Sequence, residues 1–369
     1  MTMTFELNEE LLSPAVRRLF GANDASVKRF EISALKPGAG NPVSLGVYRV
    51  SGEVELSGSV KPFSLVVKHL ADGRPHMDAS SPTGWNFWAR EMEFFESPLA
   101  DRIPQTIGHP KYLGQSTLAD GSALFWNADL GDLEKDEWTW ADCLEATRLV
   151  SELNSIKSDD LYKFEWLNRS QVDGWAELHE TWKTYQLNYP MLVELSLSHE
   201  DSAEAYDFFG KYLDRYDYIG SLLKGGRHSF VHGDFNLNNL VPAKGDSSLI
   251  ALDWQLCGEA RIGTEVAAIY NTAIEHKVIQ ADASKFEELC VVYTNRFNEI
   301  NADSPIELDE VRLAAASMGY FILVNMTLFF MNFPPPETEA ERRERLQVIV
   351  NDFTSGPVTV YARVLRSLE

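Results

Sequence analysis

The chain has 369 residues, of which 44% are hydrophobic and 24% are charged. This composition supplies enough apolar surface for one large domain or two packed lobes, and it argues against wholesale disorder. A formal net charge of −22 excludes a general nucleic-acid binder, because such a protein needs a basic surface to displace phosphate counterions.

The cysteines and the N-terminus indicate a reducing compartment. Three cysteines, Cys143, Cys257 and Cys290, are widely spaced and form no CxxC pair, which argues against a disulfide framework or a structural zinc site. The N-terminal residues show no basic region followed by an apolar run, so no secretory signal is expected. We therefore expect a cytoplasmic protein.

The first 130 residues are predicted to form a strand-rich unit. A short amphipathic helix is expected within the first 25 residues, and runs of alternating or β-branched apolar residues follow it. Five such runs predict strands: FEISAL, LGVYRVSGEV, FSLVVKHL, KYLGQSTL and SALFWNADL. A spaced apolar stripe predicts one helix between the third and fourth strands, from about residue 83 to residue 100. Together these elements predict a small antiparallel sheet that ends near Leu130.

Strands become rare after this point, and helical periodicity replaces them. Six segments are predicted to be helical: residues 139–157, 172–188, 201–224, 284–300, 307–332 and 337–353. Residues 228–254 are the exception, because two short strands there flank a polar loop. We therefore predict a β-rich N-lobe of residues 1–130 followed by a helical C-lobe of residues 131–369.

One stretch is apolar enough to require comparison with a membrane span. No charged residue occurs from Leu313 to Pro336, a length close to that of a spanning helix. However, Asn325, Thr327 and Asn332 interrupt the stretch, and basic anchors are missing on its C-terminal side. We predict a buried helix of a large domain, and no membrane partner.

Polar residues with a specific spacing follow the two short strands of residues 228–254. Asp234 lies in the run HGDFNLNN, Asn239 ends that run, and Asp253 follows the apolar run LIAL. Phosphoryl transfer needs hard oxygen ligands that hold magnesium against the phosphates, and a carboxylate that accepts the proton of the attacking hydroxyl. HGDxxxxN followed by an apolar strand and Asp supplies both. The alternative is a hairpin whose turn happens to be rich in Asp and Asn.

With the run HGDFNLNN and the downstream LDW, the sequence resembles the aminoglycoside phosphotransferase and choline kinase family, which are small-molecule kinases of the protein-kinase-like superfamily. The resemblance implies an α+β, bilobal fold with a five-stranded antiparallel N-lobe that binds the nucleotide and a mainly helical C-lobe that holds the catalytic loop and the acceptor site. It also implies ATP and Mg²⁺, with Asp234 as the catalytic base and with Asn239 and Asp253 as the magnesium ligands.

The predicted N-lobe contains residues that match the nucleotide site of this family. Lys68 lies in the apolar third strand, where the resemblance implies a contact with the ATP phosphates and a pair with a helix glutamate. Glu91 lies at the matching Arg-Glu position of the predicted helix. The alternatives are an edge-strand lysine that extends to solvent and an ordinary surface glutamate.

Two further segments are candidates for contacts with the nucleotide. Gly38 and Gly40 lie in a loop between the first two strands, where glycines allow backbone N–H groups to approach phosphates, although a plain hairpin loop explains them equally well. Asn127 and Asp129 lie where the resemblance implies a hinge that reads the adenine edge through backbone hydrogen bonds. That placement depends only on order along the chain.

Two positions depart from the patterns of related kinases. Glu265 stands where the resemblance implies an aspartate that braces the catalytic loop, so the longer side chain leaves the bracing geometry open. Trp254 and Gln255 replace the Phe-Gly of protein kinases. An aromatic residue at this place is common in small-molecule kinases, which argues against a protein substrate.

The resemblance implies that the acceptor is a small-molecule hydroxyl, and a cationic acceptor is one candidate. Six of the nine tryptophans lie between Trp126 and Trp182, and several of them are interleaved with acidic residues: Trp126, Trp138, Trp140, Trp166, Trp175 and Trp182. Aromatic faces and carboxylates suit an aminoglycoside or a choline-like amine, but buried tryptophans mostly pack helices together. A sugar, a macrolide or another amino-alcohol stays open.

Two functions from different classes are compatible with the sequence. The first is an ATP-dependent kinase that phosphorylates a small-molecule hydroxyl by direct transfer. The alternative is a catalytically silent nucleotide-binding pseudokinase that acts as a ligand sensor or scaffold, for which the atypical glycine loop and Glu265 leave room. The joint presence of Lys68, Asp234, Asn239 and Asp253 favours the kinase.

Overall fold

The computed structural model of the protein describes residues 5–35, 43–71, 80–131, 137–176, 191, 194, 218–243, 248–332, 338–349 and 356–368. The chain forms two compact units. Unit 1 contains residues 1–135, 164–168 and 240–257, and unit 2 contains residues 136–163, 169–239 and 258–369.

Unit 1 begins with helix α1, Glu9–Phe20, which has a stabilising residue at each end. The Asn8 side chain accepts a hydrogen bond from the Leu11 N–H at the N-terminus, and Gly21 ends the helix in the left-handed conformation, with φ of 64°. Leu12 and Val16 are fully buried. The predicted amphipathic helix is confirmed.

The main element of unit 1 is a five-stranded sheet. Its strands are β1 (Ser26–Ala34), β2 (Ser44–Leu56), β3 (Ser59–Leu70), β5 (Tyr112–Thr117) and β6 (Ala123–Ala128). They lie in the order β1-β2-β3-β6-β5, and every neighbouring pair is antiparallel. The predicted five-stranded antiparallel sheet is therefore confirmed.

Helix α2, Arg90–Glu96, is shorter than the helix predicted from residue 83 to residue 100. Its start is delayed because Arg90 donates hydrogen bonds to the carbonyl oxygens of Pro82, Gly84 and Trp85. These carbonyls are directed at a side chain, so the preceding segment forms turns instead of a helix.

The end of α2 follows from the proline after it. Ser97 is extended, with φ of −95° and ψ of 156°, because the residue before a proline is sterically disfavoured in the helical region and Pro98 follows. The apolar stripe did indicate a helix here, but the stripe alone did not determine its bounds.

The two faces of the sheet pack against different helices. Along β6, Leu124 and Trp126 belong to a core cluster that includes α1, whereas Phe125 belongs to a second cluster that includes Met92 of α2. Lys68 pairs directly with Phe125 across the strands β3 and β6. Because directly opposed residues project to the same face of a sheet, Lys68 lies on the α2 side.

Later parts of the chain complete unit 1. Strands β4 (Ile107–Gly108), β8 (Leu240–Pro242) and β9 (Leu249–Ala251) form a three-stranded sheet in the order β4-β9-β8, with β4 and β9 parallel. A short 3₁₀ helix, Trp254–Leu256, follows β9. The residues around Asp253 thus fold with the N-terminal part of the chain.

Unit 2 is mainly helical. Its helices include α3 (Trp140–Leu153), α4 (Gln171–Ala176), α5 (Val266–Glu275), α6 (Ala283–Ile300), α7 (Leu308–Asn332), α8 (Glu339–Ile349) and α9 (Pro357–Ser367). A two-stranded antiparallel sheet joins β7 (His228–Val231) to β10 (Gly258–Arg261).

Four of the six predicted helices are confirmed as α3, α6, α7 and α8, with small differences at their ends. The segments 172–188 and 201–224 lie largely outside the described residues. The short helices α5 and α9 were not predicted.

Helix α7 contains the stretch that was compared with a membrane span. Its residues Ala314, Ser317 and Tyr320 are fully buried within unit 2. Among the helices that the structure describes, none combines the length and the apolar character needed to cross a bilayer.

Gly52 offers a test of the sheet packing. It pairs with Phe30 and Phe63, and a Cβ atom at this position would lie 2.2 Å from the Arg29 carbonyl oxygen and 2.8 Å from the Phe63 ring. We expect Gly52→Ala to lower the free energy of unfolding by about 1–3 kcal/mol, because backbone must move to admit the methyl group.

Thermal and urea unfolding of the whole chain would measure this change. Gly220→Ala is a matched control, because its Cβ would meet only Val172 at 3.7 Å, an ordinary contact. Equal stability of Gly52→Ala and the wild type would contradict the described packing.

Candidate active site

Lys68 is held by two carboxylates of unit 1. Its Nζ atom lies 2.7 Å from Oε2 of Glu91 and 3.0 Å from Oδ1 of Asp253. Burial lowers the pKa of Lys68, but the charges of Asp253 and Glu91 raise it by more, so the pKa lies above the ordinary lysine value. Strand β3 thus brings a permanent positive charge to the α2 side of the sheet.

Glu91 connects Lys68 to the turn that follows β9. Its Oε2 atom contacts Lys68, and its Oε1 atom accepts a hydrogen bond of 3.2 Å from the Trp254 N–H. Burial raises the pKa of Glu91 above its ordinary value, although the charge of Lys68 acts in the opposite direction. Because each carboxylate oxygen faces a donor, the geometry stabilises the ionised form.

Asp253 has an unusual backbone conformation for a residue other than glycine. Its φ of 60° and ψ of 68° lie in the left-handed region. The next residue is fixed by packing, because the Trp254 ring stacks on Phe94 with centroids 4.7 Å apart and its indole N–H donates to the Ala251 carbonyl. Unit 1 therefore brings Lys68, Glu91 and Asp253 together.

The loop after β7 holds the second group of predicted residues, within unit 2. The Asp234 carboxylate accepts a hydrogen bond of 2.6 Å from Asn236 at Oδ1 and one of 2.7 Å from Asn239 at Oδ2. The Nδ2 atom of Asn239 also lies 3.0 Å from the Asp234 carbonyl oxygen. Both oxygens of this carboxylate are thus oriented by amides of its own loop.

Asn236 is a residue that the sequence interpretation missed. Its Oδ1 atom accepts a hydrogen bond of 2.9 Å from the Asn238 N–H, while its Nδ2 atom donates to Asp234. The signal was present in the sequence, because an asparagine in a turn commonly bonds to the backbone two residues on. His232, which is fully buried, accepts the Asp234 N–H at Nδ1 over 3.3 Å.

Glu265 lies against this loop in spite of its longer side chain. Its Oε1 atom accepts a hydrogen bond of 2.9 Å from the Gly233 N–H, and its Oε2 atom accepts one of 2.9 Å from Asn154. Asn154 also donates to the Phe230 carbonyl and accepts from the Tyr293 hydroxyl. Burial raises the pKa of Glu265 to about 7, although these donors act in the opposite direction.

Four further residues were predicted to contact the nucleotide, and the structure describes two of them. Gly38 and Gly40 lie outside the described residues. Asn127 is buried in β6. The Asp129 carboxylate accepts a hydrogen bond of 2.5 Å from the Ser64 hydroxyl and one of 2.9 Å from the Gly131 N–H. It also lies 2.8 Å from the Arg49 guanidinium. The backbone contacts of Asn127 and Asp129 with a base stay predictions.

The tryptophan-rich region is described only in part. Trp126 and Trp166 are buried in unit 1. In unit 2, the indole N–H of Trp140 donates to Glu288 over 3.0 Å, and the Lys285 ammonium lies 4.7 Å from its ring centroid. Trp182 lies outside the described residues, so a pocket for a cationic acceptor stays a prediction.

The predicted site residues thus form two groups. Lys68, Glu91 and Asp253 lie together in unit 1, whereas Asp234 and Asn239 lie together in unit 2. Within the described part of the chain, no group of three or more His, Cys, Asp or Glu residues is arranged to hold a metal. Hard oxygen atoms of Asp253 and Asn239 are nevertheless of the kind that magnesium prefers.

Comparison with known proteins establishes the fold. No protein-family model and no curated protein sequence matches the chain. Solved structures do, and they show that the chain has the α+β, protein-kinase-like fold of aminoglycoside phosphotransferases and related small-molecule kinases. The family resemblance is therefore confirmed at the level of the fold.

Three solved structures are similar over nearly the whole chain. The amicoumacin kinase hAmiN in complex with AMP-PNP, Ca²⁺ and Ami is 14% identical, with a TM-score of 0.52, and the match covers 90% of this chain and 92% of that one. The GDP complex of wild-type aminoglycoside 2'-phosphotransferase-IIIa is 11% identical, with a TM-score of 0.51, over 94% and 99% of the two chains. The GDP and kanamycin complex of APH(2")-IIia is 12% identical, with a TM-score of 0.51, over 93% and 100%.

The raised pKa of Glu265 predicts a pH dependence of stability. The folded protein holds the Glu265 proton more tightly than the unfolded chain does. This contribution is complete below pH 4.5 and is lost as the pH rises through about 7. The loss is about 3 kcal/mol in the free energy of unfolding. Glu265→Gln should remove this part of the pH dependence, because glutamine does not titrate.

Urea unfolding of the wild type and of Glu265→Gln at several values between pH 4.5 and 8 would measure the difference. Glu259→Gln, at a half-buried position on β10, controls for the loss of a carboxylate. Identical pH dependences for the wild type and Glu265→Gln would contradict the prediction.

Proposed function

We propose that the protein transfers the γ-phosphate of ATP to a hydroxyl group of a small molecule. The observation that carries this proposal is the ammonium of Lys68, on a side chain that is 17% exposed, paired with the carboxylates of Glu91 and Asp253 in unit 1. A fixed positive charge beside a carboxylate that can hold a cation is what a bound nucleoside triphosphate requires. The Asp234 loop of unit 2 supports the same function, because it presents an oriented carboxylate.

In this proposal, the residues of unit 1 bind the phosphates. Lys68 contacts them, and Glu91 keeps its ammonium in position. Asp253 and Asn239 would hold Mg²⁺ through oxygen atoms, and the bound cation would neutralise charge on the phosphates. The donor set fits such an ion, because magnesium in nucleotide sites takes one or two protein ligands and completes its shell with phosphates and water.

Asp234 would act as the catalytic base. The acceptor oxygen forms a bond to the γ-phosphorus while the bond from that phosphorus to the β–γ bridging oxygen breaks, so ADP leaves. The proton of the acceptor hydroxyl passes to Asp234. The amides of Asn236 and Asn239 orient the carboxylate before the acceptor arrives, which lowers the entropy cost of reaching the reactive arrangement.

The acceptor class is a small molecule that carries a hydroxyl group. Aminoglycosides, choline-like amines, other amino-alcohols and sugars are the candidates. A net charge of −22 favours a cationic compound among them. A pseudokinase would bind the nucleotide without turnover, so consumption of ATP separates the two functions.

Asp234→Asn should reduce turnover by about a hundredfold to ten-thousandfold, because an amide does not accept the proton, while nucleotide affinity changes little. The assay is ATP consumption over aminoglycosides, choline-like amines, macrolides, sugars and amino-alcohols. Asp173→Asn, at an exposed acid that pairs with Lys224, is the matched control. Turnover that survives in Asp234→Asn would exclude Asp234 as the base. Absence of ATP hydrolysis and of any acceptor would favour the pseudokinase.

Asn236→Ala should lower kcat about tenfold to a hundredfold, because it removes a hydrogen bond to a charged carboxylate. The KM values for ATP and acceptor should change little, since the contact is with Asp234 and not with a substrate. Asn238→Ala is the control, because its side chain contacts His276 and Glu275 instead. Equal effects of the two substitutions on kcat would contradict this role of Asn236.

A further inference from the structure

Arg90 is a buried charge whose donors are directed at backbone carbonyls. It is the first residue of α2 and is 0% exposed. Its guanidinium donates to the carbonyl oxygens of Trp166 and Trp85 over 2.8 Å, of Gln255 over 3.0 Å, of Pro82 over 3.3 Å, and of Gly84. Burial lowers the pKa of Arg90 to about 10, so the group stays charged at neutral pH. Such a charge is tolerated because charge-assisted hydrogen bonds offset its desolvation.

Arg90 and Glu91 hold two peptide groups of one turn. Glu91 accepts the N–H of Trp254, and Arg90 donates to the carbonyl of Gln255. The Gln255 side chain in turn donates to the carbonyl of Phe87, in the segment just before α2. The two residues that follow Asp253 are therefore tied to α2 and its N-terminal segment through their backbone and side chains.

This turn needs external support because of the conformation of Asp253. A left-handed conformation costs an L-residue roughly 1–2 kcal/mol, and such conformations persist where the surroundings determine them. Asp253 has φ of 60°, and its carboxylate lies 3.0 Å from Lys68. The direction of that carboxylate depends on the backbone that Arg90 helps to hold.

We propose that Arg90 is a positioning residue for Asp253. Through the Gln255 carbonyl it keeps the turn in the conformation that directs the Asp253 carboxylate toward Lys68 and toward a divalent cation. The inference rests on the proposed function, because that function makes Asp253 a metal ligand. The sequence pattern assigned a role to Glu91 but none to its neighbour Arg90, and this proposal supplies one.

Arginine suits this position for a geometric reason. Its planar guanidinium has five N–H donors in a fixed arrangement, whereas a lysine ammonium has three on a flexible stem. Arg90→Lys would keep the charge, but it would leave some of the five carbonyls without a donor. The variant therefore separates the effect of geometry from the effect of charge.

The test measures Mn²⁺ binding to the full chain in the presence of ADP, followed by the paramagnetic resonance of free Mn²⁺. We expect Arg90→Lys to weaken Mn²⁺ affinity about tenfold to a hundredfold, which is the range for residues that orient a metal ligand. Affinity for ADP without metal should stay within about twofold. Unchanged Mn²⁺ affinity in Arg90→Lys would overturn the proposal.

Two comparisons make the result specific. Phe63→Leu, in the core cluster on the α1 side of the sheet, supplies a general loss of stability without contact with the turn. If it weakens Mn²⁺ binding as much as Arg90→Lys does, the role of Arg90 is merely structural and the proposal fails. Asp253→Asn tests the metal ligand itself, and unchanged affinity there would overturn the metal assignment together with this inference. A loss in Asp253→Asn without a loss in Arg90→Lys would overturn only the inference.

A milder variant covers the case in which Arg90→Lys does not fold. Phe94→Leu removes the ring that stacks on Trp254 and leaves Arg90 in place. It loosens the same turn, so a smaller weakening of Mn²⁺ affinity, about threefold, supports the inference. Unchanged affinity would count against it.

Discussion

A lysine side chain that is largely removed from water needs an opposite charge beside it, and the pairing of Lys68 organises unit 1. Moving a lysine charge out of water is costly unless opposite charges stabilise it. The Glu91 and Asp253 carboxylates do so from two different segments, α2 and the turn after β9. Strand β3 supplies the lysine on the α2 side of the sheet, so sheet, helix and turn must all be in place before the charge is compensated. This dependence explains why residues 240–257 fold with the N-terminal part of the chain.

The loop of unit 2 is held in a different manner. Asp234 is oriented by two amides of its own loop, over contacts that span two and five residues. More distant residues act on the backbone: Glu265 accepts the Gly233 N–H, and Asn154 supports Glu265 from the end of α3. A carboxylate with local partners can keep its orientation while the supporting acid changes length. Glutamate in place of aspartate at position 265 is therefore compatible with contact to the loop.

Many of the contacts around both groups of residues are made to backbone atoms. Arg90 donates to carbonyl groups of several segments, and Glu91 and Glu265 each accept a backbone N–H. Backbone groups are present whatever the side chains are, so such contacts place few demands on neighbouring residues. This agrees with the occurrence of the same fold in solved structures that are only 11–14% identical to this chain.

Local patterns in the chain were sufficient for most of the elements and for several of the candidate residues. Alternation predicted the five strands, and periodicity predicted α3, α6, α7 and α8. The spacing of HGDFNLNN and LDW indicated Asp234, Asn239 and Asp253. All of these signals depend on residues that are close together in the sequence. The family resemblance implied that Lys68 pairs with a helix glutamate. Only the tertiary structure decided that Asp253 joins this pair, that Arg90 delays the start of α2, and that Asn154 supports Glu265. Those contacts join residues as far as 185 positions apart. Their partners are chosen by packing and by the need to satisfy buried polar groups, and that information is absent from any local pattern.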